Sequence, residues 1–219
     1  MHSRLISPVC IMISLVFLCT SAYAAGEAQQ IQLPQPQLDT GKPLMQVIKA
    51  RKTTREYSEE QVPLQTLSNL LWAAWGINRP DSGRRSAPSA LNRQEMDVYV
   101  SLPAGTYLYD PKANSLVPVA SGDSRAMTGT QEWVKHAPMN LVFVADLAKM
   151  GSGEEAAQMI LAAMDTGYIS ENVYLFCASE GLATGFRVTI DKAKLAEIMK
   201  LRPEQKIMGA QSVGFPKSK

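Results

Sequence analysis

Apolar residues recur at helical spacing in four stretches of the chain and alternate, or run together, in six others. After Pro43, Leu44, Val47 and Ile48 fall on one helical face of "LMQVIKAR", and proline suits a helix start. Pro63 opens a second helix, "PLQTLSNLLWAAWGIN", with a broad face of Leu64, Leu67, Leu70, Leu71, Ala74 and Trp75 that ends near Gly76. The next segment, "NRPDSGRR", is polar and turn-rich and reads as a loop.

Strand patterns follow. "MDVYVSL" alternates and passes through Pro103-Ala104-Gly105 into "TYLYD", a hairpin, and "SLVPVA" extends the meander with Pro118 confining it to an edge. "MNLVFVAD" is nearly all apolar, as a strand buried on both faces should be. A long helix is expected from Glu154 to Ser179, its early acids matching the macrodipole and Gly181 placed as a C-terminal cap. Gly167 falls inside it, where it allows close packing. "TGFRVTI", "DKAKLAEIMK" and "KIMGAQSVGF" complete the pattern as strand, helix and strand. Helices and strands intermingle without strict alternation, so the fold class is α+β.

The N-terminus stands apart. A charged start, an apolar run from Leu5 to Cys19 and Ala22-Tyr23-Ala24 have the layout of a secretory signal peptide over residues 1–24. The run is short for a membrane span. Cleavage after Ala24 is expected to yield an exported, periplasmic protein with no stable membrane anchor. Residues 25–42, rich in Gln and Pro, read as an extended arm, and 43–219 as one domain.

Cleavage leaves a chemically sparse chain, with Cys177 as its cysteine and His136 as its histidine. These make neither an intrachain disulfide nor an ordinary metal site. Cys177 reads as a core residue, His136 as a surface or turn residue, and Trp72, Trp75 and Trp133 as core or interface aromatics. Lys+Arg total 22 against 20 Asp+Glu, and such a balance argues against general nucleic-acid binding. Chemistry on this chain therefore points to a cofactor.

Four segments carry candidate binding groups. "ARKTTREY" puts Arg51, Lys52, Thr53 and Arg55 just after a helix, where guanidinium and hydroxyl groups suit a phosphate. Alone, it is equally a solvated basic turn. "RSAPSALNRQ" gathers amide and hydroxyl side chains, "EGLATG" exposes backbone at a helix end, and "GFPKSK" closes the chain with two cations.

In this order the set resembles the FMN-dependent nitroreductase family over residues 44–219. Arg51-Lys52-Thr53 with Arg55 is similar to the family's Arg-Arg-Ser-x-Arg opening, which binds the FMN phosphate. Pro88-Ser89-Ala90, Asn92 and Gln94 resemble the Pro-Ser-Ser-x-Asn-x-Gln segment, which in relatives reaches the flavin ring from the neighbouring subunit. Glu180-Gly181-Leu182 is similar to the Glu-Gly segment whose backbone lies near flavin N5, and Lys217 and Lys219 to the basic residues near the phosphate. Arg85 is a further candidate for the ring's O2 edge or the substrate. Glu95 and Met96 depart from the family, where Pro and Trp are common. The long interval from Arg55 to Pro88 is more like the branch of thiazole- and oxazole-forming enzymes.

The resemblance implies a nitroreductase-like fold, with a mixed or antiparallel sheet flanked by helices and FMN sites at a homodimer interface. It implies an FMN oxidoreductase that passes hydride from NAD(P)H or another donor to a small-molecule acceptor in a ping-pong cycle. Export, away from reduced nicotinamides, motivates an alternative: a non-catalytic protein of the same fold that binds FMN or another phosphorylated ligand.

Overall fold

A computed structural model describes residues 27–218. The expected signal peptide and Lys219 lie outside the described residues. In chain order the elements are β1 (Ile31–Gln32), α1 (Leu44–Ala50), α2 (Leu64–Trp75), β2 (Ile77–Arg79), β3 (Arg84–Arg85), β4 (Met96–Leu102), β5 (Gly105–Asp110) and β6 (Ser115–Ser121). They continue with β7 (Met139–Asp146), α3 (Glu155–Glu180), β8 (Ala183–Arg187), α4 (Lys192–Ile198) and β9 (Gln205–Gly214).

The apolar run of β7 lies between β4 and β9 in a seven-stranded sheet of order β1-β6-β5-β4-β7-β9-β8. All its pairings are antiparallel. Every residue of β7 is buried, because its alternating side chains serve two cores. Met139, Leu141, Phe143 and Ala145 join Leu70, Leu71 and Trp75 of α2 and Ile169 and Val173 of α3. Val142 and Val144 meet Leu195, Met199 and Ile207 on the other face. Burying one such side chain stabilises the fold by roughly 1.5–3 kcal/mol, so the two-sided strand anchors the architecture. The α+β arrangement expected from the sequence, an antiparallel sheet flanked by helices, is therefore the one adopted.

Local differences have simple causes. β6 pairs with β1 only at Leu116 and Ser115, and Pro118 lies past that pairing, opposite Tyr107 at a register shift. Its missing N–H is tolerated there. The segment expected to be a loop forms a two-stranded ribbon, β2–β3, around Gly83. Strands this short leave almost no periodic signal. The arm is extended but tied down: Leu33 is buried, Ser68 Oγ and Asn114 Nδ2 both donate to the Pro34 carbonyl, and Lys42 N donates to Ser179 Oγ at 2.9 Å.

The 26-residue helix α3 runs through Gly167 without a break. Its inner residues, Asp165, Thr166, Ile169, Val173 and Cys177, are buried. The opposite stripe, Ile160, Ala163, Met164, Gly167 and Tyr168, is exposed. Leu44, Met45 and Ile48 of α1, which packs on α3, are exposed as well.

Candidate functional site

The basic segment 51–55 begins where α1 stops, Arg51 being the C-cap. It is held against the far end of the sheet. Thr54 N donates to the Thr184 carbonyl at 2.9 Å, and the Arg51 guanidinium lies over the Tyr174 ring, 5.4 Å from its centroid. Thr53 Oγ1 and Tyr174 Oη are 3.2 Å apart, while Phe186 N donates to that same phenol at 2.9 Å. Tyr174 thus couples the basic segment to α3 and β8 at once.

The C-terminus arrives at the same place. Tyr57 bridges to Pro216, Ser58 N donates to the Phe215 carbonyl at 2.9 Å and Lys217 N to the Glu56 carbonyl at 3.3 Å. Residues at opposite ends of the domain therefore share one wall. Arg55 and Lys217 both line a cleft of about 1,220 Å³ that also contains Trp133, Arg125 and His136.

Gly181 completes this grouping. It caps α3 at φ +75°, ψ +20°, and Leu182 N donates to the Cys177 carbonyl at 2.8 Å, a left-handed helix termination that glycine makes at little cost. Gly181 and Leu182 line a cavity of about 460 Å³ together with Lys52, Thr54, Thr184 and Pro216. Apart from its two chain neighbours, no atom of the described residues lies within 4 Å of the point where a Gly181 side chain would begin. Glu180 is exposed, its Oε1 accepting from Ser179 Oγ at 3.1 Å. Cys177 forms the buried floor, and burial pushes its thiol far above the ordinary range. That agrees with its reading as a core residue.

The other predicted residues form a separate cluster. Arg85 Nε donates to Gln94 Oε1 at 2.9 Å, and its guanidinium stacks on Trp75 at 5.3 Å. Burial lowers the Arg85 pKa from its ordinary value. Gln94 Nε2 donates to the Gly83 carbonyl and to Asn92 Oδ1, and Ser89 Oγ accepts from Gln94 N at 3.0 Å. Gln94 therefore spends its amide within the loop, whereas Pro88, Leu91 and Asn92 stay exposed. Leu91, Asn92 and Gln94 all have positive φ near +50°. Non-glycine residues there cost on the order of 1–3 kcal/mol each, so the surroundings must hold the loop. One visible restraint is Ala90 N, which donates to Asp165 Oδ2 of α3 at 2.9 Å.

These two clusters do not meet within the chain. Asp165 and Gly181 belong to the same helix, and at 1.5 Å of rise per residue they stand about 24 Å apart.

The nitroreductase family model matches residues 48–215. The chain belongs to the nitroreductase family. It superposes on the crystal structure of a protein from Ralstonia eutropha JMP134, described as a nitroreductase, with a TM-score of 0.83 and 40% identity, over 90% of this chain and 92% of that one. A Methanocaldococcus jannaschii protein that carries the name nitroreductase is 27% identical over 187 residues, 81% of this chain and 92% of the relative. The fold is shared with a chain of the E. coli microcin synthetase McbBCD complex, at a TM-score of 0.66 and 19% identity over 95% of this chain and 85% of that one. Family membership makes this an oxidoreductase scaffold.

Two residues of this nitroreductase-family site escaped the sequence reading. Tyr174 lies within the long helix α3 with nothing local to mark it. Arg187 sat inside a strand pattern with nothing to mark it. It is 5% exposed, and its guanidinium donates to the Thr128 carbonyl, Thr128 Oγ1, Asn140 Oδ1 and Ser212 Oγ, at 2.6–2.9 Å. Trp133 covers it at 5.3 Å. Burial brings its pKa down to about 10, so it stays charged at neutral pH, with neutral acceptors alone at hydrogen-bonding distance. Arg187 thereby fixes Trp133, which Arg55 also stacks against at 5.7 Å.

Proposed function

We propose that this protein is an FMN-dependent oxidoreductase acting as a homodimer, with each flavin held between two protomers. The observation that carries this reading is the grouping of the basic segment with the open end of α3: Arg51 and Thr53 lie against Tyr174 of α3, Lys52 and Gly181 line one cavity with Pro216, and Lys217, next in the chain, lines the neighbouring cleft with Arg55. The donor set suits the group: cations and a hydroxyl for a phosphate, and an unobstructed backbone for a planar ring. When bound, FMN would supply the redox chemistry for hydride or electron transfer between a small donor, NAD(P)H or another, and a small-molecule acceptor in ping-pong order.

The chain's own residues bind and orient. Arg51, Lys52, Thr53 and Lys217, with Lys219 from the sequence, neutralise the phosphate, and Arg55, backed by Trp133, guards the neighbouring cleft. Gly181 and Leu182 offer backbone to the ring edge. The loop with Pro88, Ser89 and Asn92 serves the partner protomer, because the helix length keeps it from its own Gly181. Exposed Ile160, Met164, Gly167 and Tyr168, with Leu44, Met45 and Ile48, supply the apolar surface for pairing. Export to the periplasm after cleavage at Ala24 is part of the proposal and rests on the sequence of residues 1–24.

Arg51→Ala is expected to weaken FMN binding by about 1.5–3 kcal/mol, roughly 10- to 150-fold, the loss of one charge-assisted contact. Fluorescence titration of cofactor-free protein checks this. Unchanged affinity would remove Arg51 from the site.

A further inference from the structure

Glu95 follows the strained loop directly and precedes β4. Its carbonyl accepts from Asp146 N at 2.9 Å, which fixes it to the end of β7. The side chain is fully buried. Neither carboxyl oxygen receives an N–H or O–H from a described residue, and the polar group beside them is the Asp165 carboxyl. Asp165, itself 3% exposed, accepts the Ala90 N–H of the loop through Oδ2. Two acids thus share a buried space at the root of the 88–94 loop, where relatives of the resembled pattern carry proline.

Two ionised carboxylates do not persist together without water. We propose that Glu95 is a positioning residue: it remains protonated, donates its O–H to ionised Asp165, and thereby lets Asp165 hold the Ala90 N–H and the loop in place. Losing that proton sets like charges side by side, and moving the loop away from α3 relieves them. The latch stands independently of any cofactor; its consequence for FMN rests on the function proposed above, in which this loop serves the partner's flavin.

The charged groups that bear on Glu95 are Asp165 from α3 and Lys149 from the turn after β7. Lys149 is drawn toward Asp97, 3.0 Å away, so it does not neutralise the pair. Burial first, and then Asp165, push the Glu95 carboxyl up to about 7. The folded chain therefore binds this proton more tightly than the unfolded chain does. The resulting stability is complete below the ordinary carboxylate range and is lost as pH rises from there through about 7.

The test is amide hydrogen exchange at Ala90, Asn92 and Gln94 in purified protein without added cofactor, from about pH 5.5 to about 8.5. Protection at Ala90, corrected for intrinsic exchange, is expected to hold below about pH 7 and then fall by up to about tenfold per pH unit. Glu95→Gln keeps a neutral donor in place, and its protection is expected to stay flat. Wild-type protection that is flat across the range, or a slope that survives in Glu95→Gln, overturns the proposal. Carbon-13 carboxyl NMR of the wild-type protein gives a second reading that needs no variant. A Glu95 midpoint near 7 supports the latch, and a midpoint in the ordinary carboxylate range refutes it. A chain that never binds FMN leaves both readouts unaffected, so failure of the functional reading is distinguishable from failure of this one.

Discussion

Replacing Arg187 with methionine is expected to cost about 3–5 kcal/mol of folding stability. The acceptors it serves, on Thr128, Asn140 and Ser212, lie buried between the sheet and the segment before β7. Methionine fills the space but donates to none of them; Asn140 Oδ1 keeps Ser212 Oγ as a donor, and each buried acceptor left without one costs about 1–3 kcal/mol. Trp133 also loses the cation beneath its ring. Urea unfolding of the variant and wild type measures the difference. A loss under about 1 kcal/mol would mean that water or repacking replaces the guanidinium and that Arg187 does not organise this wall.

Gly167→Arg is expected to leave the chain folded and abolish the proposed dimer, weakening association at least about 100-fold, close to 3 kcal/mol. Space is open where a side chain at 167 would begin, and in a helix interior most residues are favoured over glycine by about 0.5–1 kcal/mol. Within one protomer the change is neutral or stabilising. Between protomers it drives a long cation into the centre of the apolar stripe formed by Ile160, Met164 and Tyr168. If pairing supplies half of each flavin site, FMN affinity falls together with the dimer. Sedimentation velocity, paired with an FMN titration, separates the cases. A variant that stays dimeric places the interface elsewhere, and a monomer with full FMN affinity shows that one protomer suffices.

What was legible in the sequence was what local periodicity encodes. β7 announced itself because burial on both faces requires eight near-continuous apolar positions, and α3 because its cap glycine and apolar spacing agree. The β2–β3 ribbon was hidden because strands of three and two residues show no period. The ties of the arm were hidden for another reason: they depend on Ser68, Asn69 and Asn114, distant in sequence. The binding segments were legible as motifs, but their grouping was not. Nothing local says that residue 54 pairs with Thr184, or residue 58 with Phe215. Nor does "ALNRQ" reveal that Gln94 turns inward to Arg85 and Gly83 while Ala90 is held by Asp165.

The most direct test of the central claim is the visible spectrum of the purified, processed protein, with any flavin identified after heat release. The proposal predicts oxidised-flavin absorbance, and released FMN at about one per chain. A colourless protein that also fails to take up added FMN would contradict it, and Arg51, Thr53, Gly181 and Lys217 would then be a basic surface without a cofactor.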